Sequence, residues 1–233
     1  EGFFEVAMAQ NPKPQTVAVI GADAEFPRNA MEGVRNIAKK YNIKIVYDKT
    51  YPPTTADYTP VVRAVAATNP DIFFACSYPP DSVGIIRASH EVGFKPKIYG
   101  GGMVGLQATA IKTQLGPLLN DIVVYDFWLP WAGFATDAGR EFVKKYQTKS
   151  AEAGVDLLGY YLPPFNYAIG QMLEQAVTAT KSLDHKVLAD YLRSNELKTI
   201  APTYRENQMT VNGKIYGFPD EGGAFPSSYR KEL

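Results

Sequence analysis

Aromatic, hydroxyl and acidic side chains follow short apolar runs in the first half of the sequence. Phe26 and Asp23 come after the run Thr16–Ala22, and Ser77 and Tyr78 come after a second run. Aromatic faces pack against flat or apolar groups, while hydroxyls and backbone amides supply directional hydrogen bonds. These residue types therefore favour non-covalent recognition of a small molecule with an apolar or aromatic group.

The residue patterns of familiar catalytic and cofactor sites do not occur in the sequence. Gly21–Phe26 reads G-A-D-A-E-F where a dinucleotide-binding protein carries G-x-G-x-x-G, which disfavours a nucleotide cofactor. Neither a Walker motif nor a G-x-S-x-G elbow occurs. His90 and His185 lie far apart in sequence, and the single cysteine, Cys76, is expected to be a buried thiol. We predict no catalytic residue, no metal site and no cofactor.

Strand-like and helix-like stretches alternate from Thr16 to Gly105. Short runs rich in β-branched residues predict buried strands, and apolar residues at three- and four-residue spacing predict helices between them. This alternation predicts a parallel sheet with right-handed crossovers. The predicted strands are Thr16–Ala22, Ile43–Lys49, Asp71–Cys76 and Lys97–Tyr99; the predicted helices begin at Pro27, at the N-cap Thr59 and at about Asp81, the last ending at Gly93.

In open parallel sheets, ligands collect beyond the carboxyl ends of the strands. Four predicted loops should therefore share one edge of the sheet, which we call the rim. Phe26, Tyr51 and Tyr78 are predicted to present rings there, and Ser77 a hydroxyl. The glycines of Gly100–Gly102 would expose backbone amides or form a turn with positive φ. The four loops are Asp23–Phe26, Thr50–Thr55, Ser77–Pro80 and Gly100–Leu106.

Length and composition exclude several classes of protein. The 233 residues are 45% hydrophobic, which is enough for a large buried core. Lysine plus arginine and aspartate plus glutamate both total 24, so charge gives no reason to expect nucleic-acid or membrane-surface binding. No apolar run is long enough to span a bilayer. A single cysteine excludes an intrachain disulfide, which fits either the cytosol or a bacterial periplasm.

In the second half of the chain, strand-like and helix-like stretches no longer alternate. Asp126–Trp131, with the sequence D-F-W-L-P-W, predicts a crossing between domains. Helices that follow one another without a parallel sheet of their own are expected to pack on a sheet from sequence absent here. The start of the chain within a helical pattern also suggests missing N-terminal sequence. The predicted elements are helices over Thr136–Thr148, from Leu162 to Val177 and over Asp184–Ser194, and a hairpin within Gln208–Phe218 that turns at Asn212-Gly213.

Four stretches of the sequence, taken together and in the order in which they occur, resemble the periplasmic solute-binding proteins of ABC importers. The resemblance is to the type I group, which includes the branched-chain amino-acid binders. The resemblance extends over nearly the whole chain. The stretches are V-A-V-I-G-A-D-A-E-F-P-R-N-A-M-E-G from Val17, D-I-F-F-A-C-S-Y-P-P-D-S-V-G-I-I-R-A-S-H-E-V-G-F from Asp71, I-Y-G-G-G-M-V-G from Ile98 and N-Y-A-I-G-Q-M-L-E-Q-A-V from Asn166.

The resemblance implies an α/β fold of two Rossmann-like lobes with a three-strand hinge. Such a protein is periplasmic, closes around one small-molecule solute and delivers it to a membrane permease without catalysis. Residues 1–124 would form the second lobe. Residues 125–218 would be returning elements of the first lobe, whose N-terminal sheet is absent here, and residues 219–233 would re-enter toward the second lobe.

The ligand contacts implied by the resemblance match only in part. Phe26 stands where the amino-acid binders carry a tyrosine over the ligand, and Tyr78 matches a second tyrosine. Gly102 stands where those proteins carry the acid that pairs with the ligand's ammonium group. An unpaired buried ammonium is costly, so this glycine favours a carboxylate that is not an amino acid, with an aromatic body, unless Asp23, Glu25 or the absent lobe compensates. The implied ligand-binding set is Phe26, Ser77, Tyr78, Gly102, Met103, Asp23 and Tyr161, with Tyr160 and Phe165 as further aromatic candidates.

Three alternatives stay open at the level of sequence. The first is binding of branched-chain amino acids, which requires another acid to replace the one missing at Gly102. The second is the ligand-sensing domain of a receptor or regulator, which would carry a DNA-binding or transmembrane segment beside the same fold. The third, which the missing motifs disfavour, is an enzyme of the doubly wound α/β class.

Overall fold

The computed structural model describes residues 2–125 and 136–200, together with the course of three short strands between residues 203 and 217. The chain divides into two compact units, Glu1–Tyr125 and Asp126–Leu233. Within the described residues, no helix combines the length and apolar character needed to cross a membrane. The crossing predicted at Asp126–Trp131 lies outside the described residues.

The first unit alternates strands and helices. In chain order it contains α1 (Gly2–Met8), β1 (Thr16–Ala22), α2 (Glu25–Lys40), β2 (Lys44–Tyr51), α3 (Thr59–Ala66), β3 (Ile72–Ser77), α4 (Pro79–Val92), β4 (Ile98–Met103), α5 (Thr109–Leu115), a 3-10 turn (Gly116–Leu119) and β5 (Ile122–Val123). The five strands are parallel and lie in the order β2-β1-β3-β4-β5. The predicted parallel α/β sheet is therefore confirmed.

Both faces of the sheet are covered. Because successive residues of a strand point to opposite faces, Val17 and Val19 of β1 pack in one core cluster while Ala18 and Ile20 pack in another. The first cluster includes side chains of α1 and α2, and the second includes side chains of α3 and α4. This two-sided burial explains why β1 reads as a continuous apolar run.

Most element boundaries in this unit follow the sequence pattern. The predicted strand Thr16–Ala22 is found with the same ends, and α4 ends at Gly93, whose φ of 71° is the left-handed conformation expected of a C-terminal glycine. The prediction of Thr59 as an N-cap was wrong. Tyr58 is the N-cap, and the Thr59 N–H donates to Asp57 Oδ1 at 2.9 Å, so an upstream carboxylate satisfies this amide.

The glycine run differs most from its prediction. Gly100–Gly102 was expected in a loop, but all three residues lie in β4, where Gly100 pairs with Phe74 and Gly102 with Cys76. Pairing with β3 supplies the backbone hydrogen bonds, so the strand continues despite the low β-propensity of glycine. Gly101 has a φ of 123° and Gly100 one of 158°, which confirms at least one positive-φ glycine within the run, although both lie in a strand and not in a turn.

The second unit contains three described helices and a small sheet: α6 (Asp137–Lys149), α7 (Pro163–Thr180), α8 (His185–Ser194), β6 (Thr203–Arg205), β7 (Gln208–Val211) and β8 (Lys214–Gly217). Thr136 caps α6 by accepting the Gly139 N–H at 3.0 Å, and Asp184 caps α8 by accepting the Val187 N–H at 3.0 Å. The strands β7 and β8 pair antiparallel, which confirms the predicted hairpin, while β6 was not predicted.

The central helix of this unit, α7, is apolar on more than its buried side. Ala168 and Ala176 are buried, whereas Ile169 is 61% exposed and Leu173 is 49% exposed. Tyr167, expected in the core because it follows the apolar stripe, is half-exposed, although its ring packs 4.6 Å from that of Phe142. We call Ile169 and Leu173 the apolar face of α7.

Candidate ligand-binding site

In the first sheet, the boundary between β1 and β3 is the place where the chain reverses the direction in which it adds strands. From β1 the chain goes first to β2 on one side and then to β3 on the other, so the loops after β1 and β3 diverge and leave a crevice at the rim. Phe26, in the first turn of α2, and Tyr78, directly before α4, stand at these two loops. The topology therefore brings the two predicted aromatic contacts to one place.

The two rings form a partly open pair. Their centroids are 5.9 Å apart and their planes are inclined by 54°. Phe26 is 36% exposed and Tyr78 is 37% exposed, so neither ring is enclosed by the protein. Rings at this distance attract each other, yet each keeps a surface available to a further apolar group.

Gly102 lies beneath the Phe26 ring. A Cβ built on Gly102 would stand 3.6 Å from Phe26 Cζ and 3.9 Å from the Cβ of Ala30, which is ordinary van der Waals contact. Its neighbours have no such room: a Cβ on Gly100 would stand 1.8 Å from the Val123 carbonyl oxygen, and one on Gly101 would stand 2.7 Å from that of Ala75. Only Gly102 of the three glycines can therefore carry a side chain without displacing backbone.

Two other predicted site residues lie under this surface. Ser77 and Met103 are fully buried, and Met103 belongs to the core cluster that contains the α3 and α4 side chains. The Ser77 hydroxyl lies 2.8 Å from that of Ser82. The Ser82 hydroxyl also lies within donating distance of the carbonyl oxygens of Tyr78, at 2.9 Å, and Val104, at 2.8 Å. These hydroxyls join the loops that follow β3 and β4.

Asp23, the acid in the loop after β1, forms an ion pair with Arg28. Asp23 Oδ1 accepts a hydrogen bond from Arg28 Nε at 2.7 Å and lies 2.5 Å from Arg28 Nη2, and both side chains are largely exposed. Glu25 is also exposed, in the first turn of α2. The first loop therefore offers a carboxylate that is neutralised by its own neighbour.

Tyr51 was predicted to present its ring at the rim, and that prediction was wrong. Its side chain is buried, and its hydroxyl donates to Asp81 Oδ2 at 3.0 Å. Tyr58 packs edge-on against Tyr51, with centroids 5.3 Å apart, and also hydrogen-bonds to Asp81. Burial and, after it, the Asp81 charge raise the pKa of Tyr51 well above its usual value and that of Tyr58 to about 12, so both phenols remain donors.

No sequence pattern predicts this buried cluster. The helical pattern indicates Asp81 only as the approximate start of a helix, and its partner Tyr51 lies 30 residues earlier. Gln107 was missed for the same reason: its side chain accepts the Gly105 N–H at 3.0 Å and donates to the Tyr125 carbonyl oxygen at 2.9 Å. The Tyr51–Asp81 and Gln107–Tyr125 contacts join residues distant in sequence, and no local pattern encodes them.

Tyr161 belongs to the second unit, where it lies partly buried just before α7. Its neighbours Tyr160 and Phe165 pack against the buried Val143 of α6. Cys76 is buried as expected, and burial raises the pKa of its thiol. In the parts of the chain that the structure describes, no cluster of three or more histidine, cysteine, aspartate or glutamate side chains could hold a metal ion.

Comparison with known proteins gives consistent results. A family model described as "Periplasmic binding protein" matches residues 5–216. The Leu/Ile/Val-binding protein homolog 7 of Brucella abortus is 23% identical over 198 residues, which are 82% of this chain and 47% of that protein. The corresponding protein of Brucella suis has the same identity and coverage. The chain thus spans about half the length of the curated relatives it matches.

Solved structures agree on the fold. A leucine-, isoleucine-, valine-, threonine- and alanine-binding protein from Brucella ovis, in a closed conformation, aligns with a TM-score of 0.72 at 16% identity, over 97% of this chain and 62% of that chain. A leucine-binding protein from Thermotoga maritima aligns with a TM-score of 0.70 at 16% identity, over 94% and 64%. The chain belongs to the periplasmic binding protein family and has the type I fold of its Leu/Ile/Val-binding members.

Proposed function

We propose that this chain is the extracytoplasmic, periplasmic substrate-binding component of an ABC transporter, which captures a small organic solute between two lobes and delivers it to a membrane permease. The observation that carries the proposal is the half-exposed pair of Phe26 and Tyr78 at the crevice of the parallel sheet. Membership of a family of solute-binding proteins supports it. Its action is binding and release, so the solute should be recovered chemically unchanged.

The favoured solute is a carboxylate without an α-ammonium group, with an aromatic ring as its apolar body. The ring would pack against Phe26 and Tyr78. Gly102 brings no carboxylate to this place, and Asp23 is paired with Arg28, so the exposed Glu25 is the acid of the first loop left to pair with an ammonium group. Ser77 and Met103 would support this surface from below, and Tyr161 would be a further ligand contact.

A second candidate, binding of branched-chain amino acids, is favoured by the names of the relatives from Brucella and Thermotoga. One titration separates the two. Benzoate, phenylacetate, leucine and isoleucine are titrated by calorimetry, and each bound sample is analysed by mass spectrometry. Binding of benzoate or phenylacetate without binding of leucine supports the carboxylate proposal. Binding of leucine or isoleucine alone assigns the second candidate, and a chemically altered solute contradicts a binding-only function.

The lobe assignment is also a proposal. Residues 1–124 would be the second lobe and residues 125–218 returning elements of the first, while the expected return of residues 219–233 toward the second lobe lies outside the described residues. The apolar face of α7 supports it, because Ile169 and Leu173 are exposed in this chain and the N-terminal sheet of a first lobe would cover them. Adding that sheet as a separate polypeptide should reduce the exposure of Ile169 and Leu173 to solvent.

A further inference from the structure

Asp81 is a buried carboxylate next to the candidate site. The binding of a solute does not by itself require this carboxylate. It is 6% exposed and lies in the first turn of α4. Its Oδ2 accepts the Tyr51 hydroxyl at 3.0 Å and the backbone N–H of Tyr78 at 3.4 Å, and Tyr58 adds a third hydrogen bond. An acceptor-only group surrounded by donors from three segments holds those segments in one arrangement.

Each of these donors belongs to a different element. Tyr51 ends β2, Tyr58 is the N-cap of α3, and Tyr78 is the N-cap of α4. The Tyr58 ring also packs directly on α4, since a Cβ built on Gly84 would stand 2.5 Å from ring atoms of Tyr58. Asp81 is therefore the common acceptor of two buried phenols and of the residue that carries one of the two rim rings.

The backbone of Tyr78 is held from both sides. Asp81 accepts its N–H, and its carbonyl oxygen accepts the Ser82 N–H at 2.8 Å and lies 2.9 Å from the Ser82 hydroxyl. The next two residues, Pro79 and Pro80, have fixed φ angles and no N–H. Fixing the backbone at residue 78 sets the direction of its Cα–Cβ bond, from which the ring reaches its observed position beside Phe26.

We propose that Asp81 is a positioning residue that sets the Tyr78 ring against Phe26 and so presents the aromatic surface to the solute. A charged acceptor attracts an N–H more strongly than a neutral one, so the carboxylate favours the observed Tyr78 backbone across their 3.4 Å separation better than a neutral acceptor would. The geometric part of this proposal concerns the free protein. Only the use of the ring pair as a contact surface rests on the proposed function.

Nuclear magnetic resonance on the free protein tests the geometric part. The two readouts are the nuclear Overhauser effect between the Phe26 and Tyr78 rings and the hydrogen-exchange rate of the Tyr78 amide. Asp81→Ala removes the acceptor, so the ring–ring effect should be lost and amide exchange should become at least about ten-fold faster. Tyr99→Phe is the control, because it removes a buried hydroxyl pair with Ser89 at 3.2 Å in the same unit and should leave both readouts unchanged.

Asp81→Asn keeps the size and one acceptor oxygen but loses the charge. It should retain the ring–ring effect and show amide exchange several-fold faster than wild type, and it decides the question if Asp81→Ala does not fold. Wild-type values of both readouts in Asp81→Ala, or of the exchange rate in Asp81→Asn, would overturn the proposal. Equal changes in Tyr99→Phe would also overturn it, since they would show a general loosening of the unit.

Titration with benzoate tests the functional part separately. If wild type binds benzoate, Asp81→Ala should bind it several-fold more weakly, by about the loss that Tyr78→Ala causes, and the double variant should lose little more. Benzoate binding that is unaffected by Asp81→Ala overturns the role in recognition. If wild type binds neither benzoate nor phenylacetate, the proposed solute class fails, while the resonance measurements still decide whether Asp81 positions the ring.

Discussion

Thr16 and Asp71 hold each other by reciprocal hydrogen bonds at the amino ends of β1 and β3. The Thr16 N–H and hydroxyl both donate to Asp71 Oδ2 at 3.1 Å, and the Asp71 N–H donates to the Thr16 hydroxyl oxygen at 2.8 Å. The Gln15 N–H adds a bond of 2.8 Å to the same carboxylate oxygen, and Lys97 Nζ lies 2.6 Å from the other. One carboxylate thus joins the starts of three neighbouring strands.

Replacing Asp71 should destabilise the first unit. Asp71→Ala leaves the Gln15 and Thr16 amides without this acceptor, and we expect a loss of about 2 kcal/mol in the free energy of unfolding. The measurement is urea denaturation followed by circular dichroism. Asp190→Ala is the matched control, because Asp190 pairs with Lys186 on an exposed helix surface and its loss should cost less than about 0.5 kcal/mol. Equal losses in the two variants would contradict the assignment.

The contribution of Asp71 should also depend on pH. Burial alone would raise the pKa of its carboxyl, but the hydrogen bonds from Lys97, Gln15 and Thr16 outweigh burial and hold that pKa below its usual value. A lowered pKa in the folded state stabilises the protein above the unfolded value of about 3.9 and ceases to do so as pH falls through the folded value. The stability difference between wild type and Asp71→Asn should therefore shrink below about pH 4. A difference that is constant from neutral to acidic pH would refute this explanation.

Gly102 should accept a side chain that its neighbours reject. Gly102→Ala should keep the melting temperature of the wild type, because the new Cβ meets Phe26 and Ala30 at ordinary contact distances. Gly101→Ala should lower it by several degrees, because its Cβ would meet the Ala75 carbonyl oxygen at 2.7 Å and its φ of 123° disfavours a side chain. Differential scanning fluorimetry measures both. Equal melting temperatures for the two variants would show that the strand relaxes freely at this point.

An acid at the same position should change the preferred solute. In Gly102→Glu, the added carboxylate lies at the place where the resemblance to amino-acid binders puts the partner of the ligand's ammonium group. We expect leucine binding to increase and benzoate binding to decrease, because the new charge pairs with an ammonium and repels a carboxylate. Calorimetric titration of both solutes measures the change. Parallel gains or losses for the two solutes would argue against a role of this position in selectivity.

The Phe26 ring should contribute to solute affinity more than to stability. Phe26→Ala should weaken benzoate binding by between about 2- and 12-fold, the range expected for one aromatic pair. Its effect on the melting temperature should be small, because the ring is partly exposed. Phe94→Ala is the control, since Phe94 also pairs with a ring, that of Phe73 at 5.4 Å, but lies before β4 at the opposite edge of the sheet. If Phe94→Ala weakened benzoate binding to the same extent, the effect would be one of general stability.

The apolar face of α7 should drive self-association of this chain. Replacing Ile169 and Leu173 together by lysine should reduce dimer and higher species in sedimentation velocity, without lowering the melting temperature, because both side chains are exposed. The control replaces Asn166 and Thr178, two exposed polar residues of α7, by lysine. If the control pair dispersed the protein equally well, added charge would be the cause and the apolar face would not.

Much of the fold could be predicted from local patterns. The ends of β1, the glycine at the end of α4 and the capping residues Thr136 and Asp184 all follow from side-chain types that act within one turn or one strand. The length of β4 could not be predicted, because glycine has low strand propensity and the strand persists through its pairing with β3. Local chemistry is readable in a single sequence, whereas pairing between strands is not.

The candidate site was predictable to a similar degree. The rule that ligands collect at strand ends located Phe26 and Tyr78, and the structure brings their rings together. The same rule misplaced Tyr51, because a residue at a strand end can point into the core as easily as into solvent. The Tyr51 ring lies in the core and not in solvent because its hydroxyl donates to a buried acceptor, Asp81, which is 30 residues away in sequence.

The unequal surroundings of the three consecutive glycines bear on how this protein could diverge. Backbone atoms of neighbouring strands leave no room for a Cβ at Gly100 or Gly101, so substitutions at these two positions should be selected against. The third codon encodes Gly102, where an added Cβ would meet Phe26 and Ala30 at ordinary contact distances. A single substitution there would therefore add a side-chain atom next to Phe26 without displacing the backbone of a neighbouring strand.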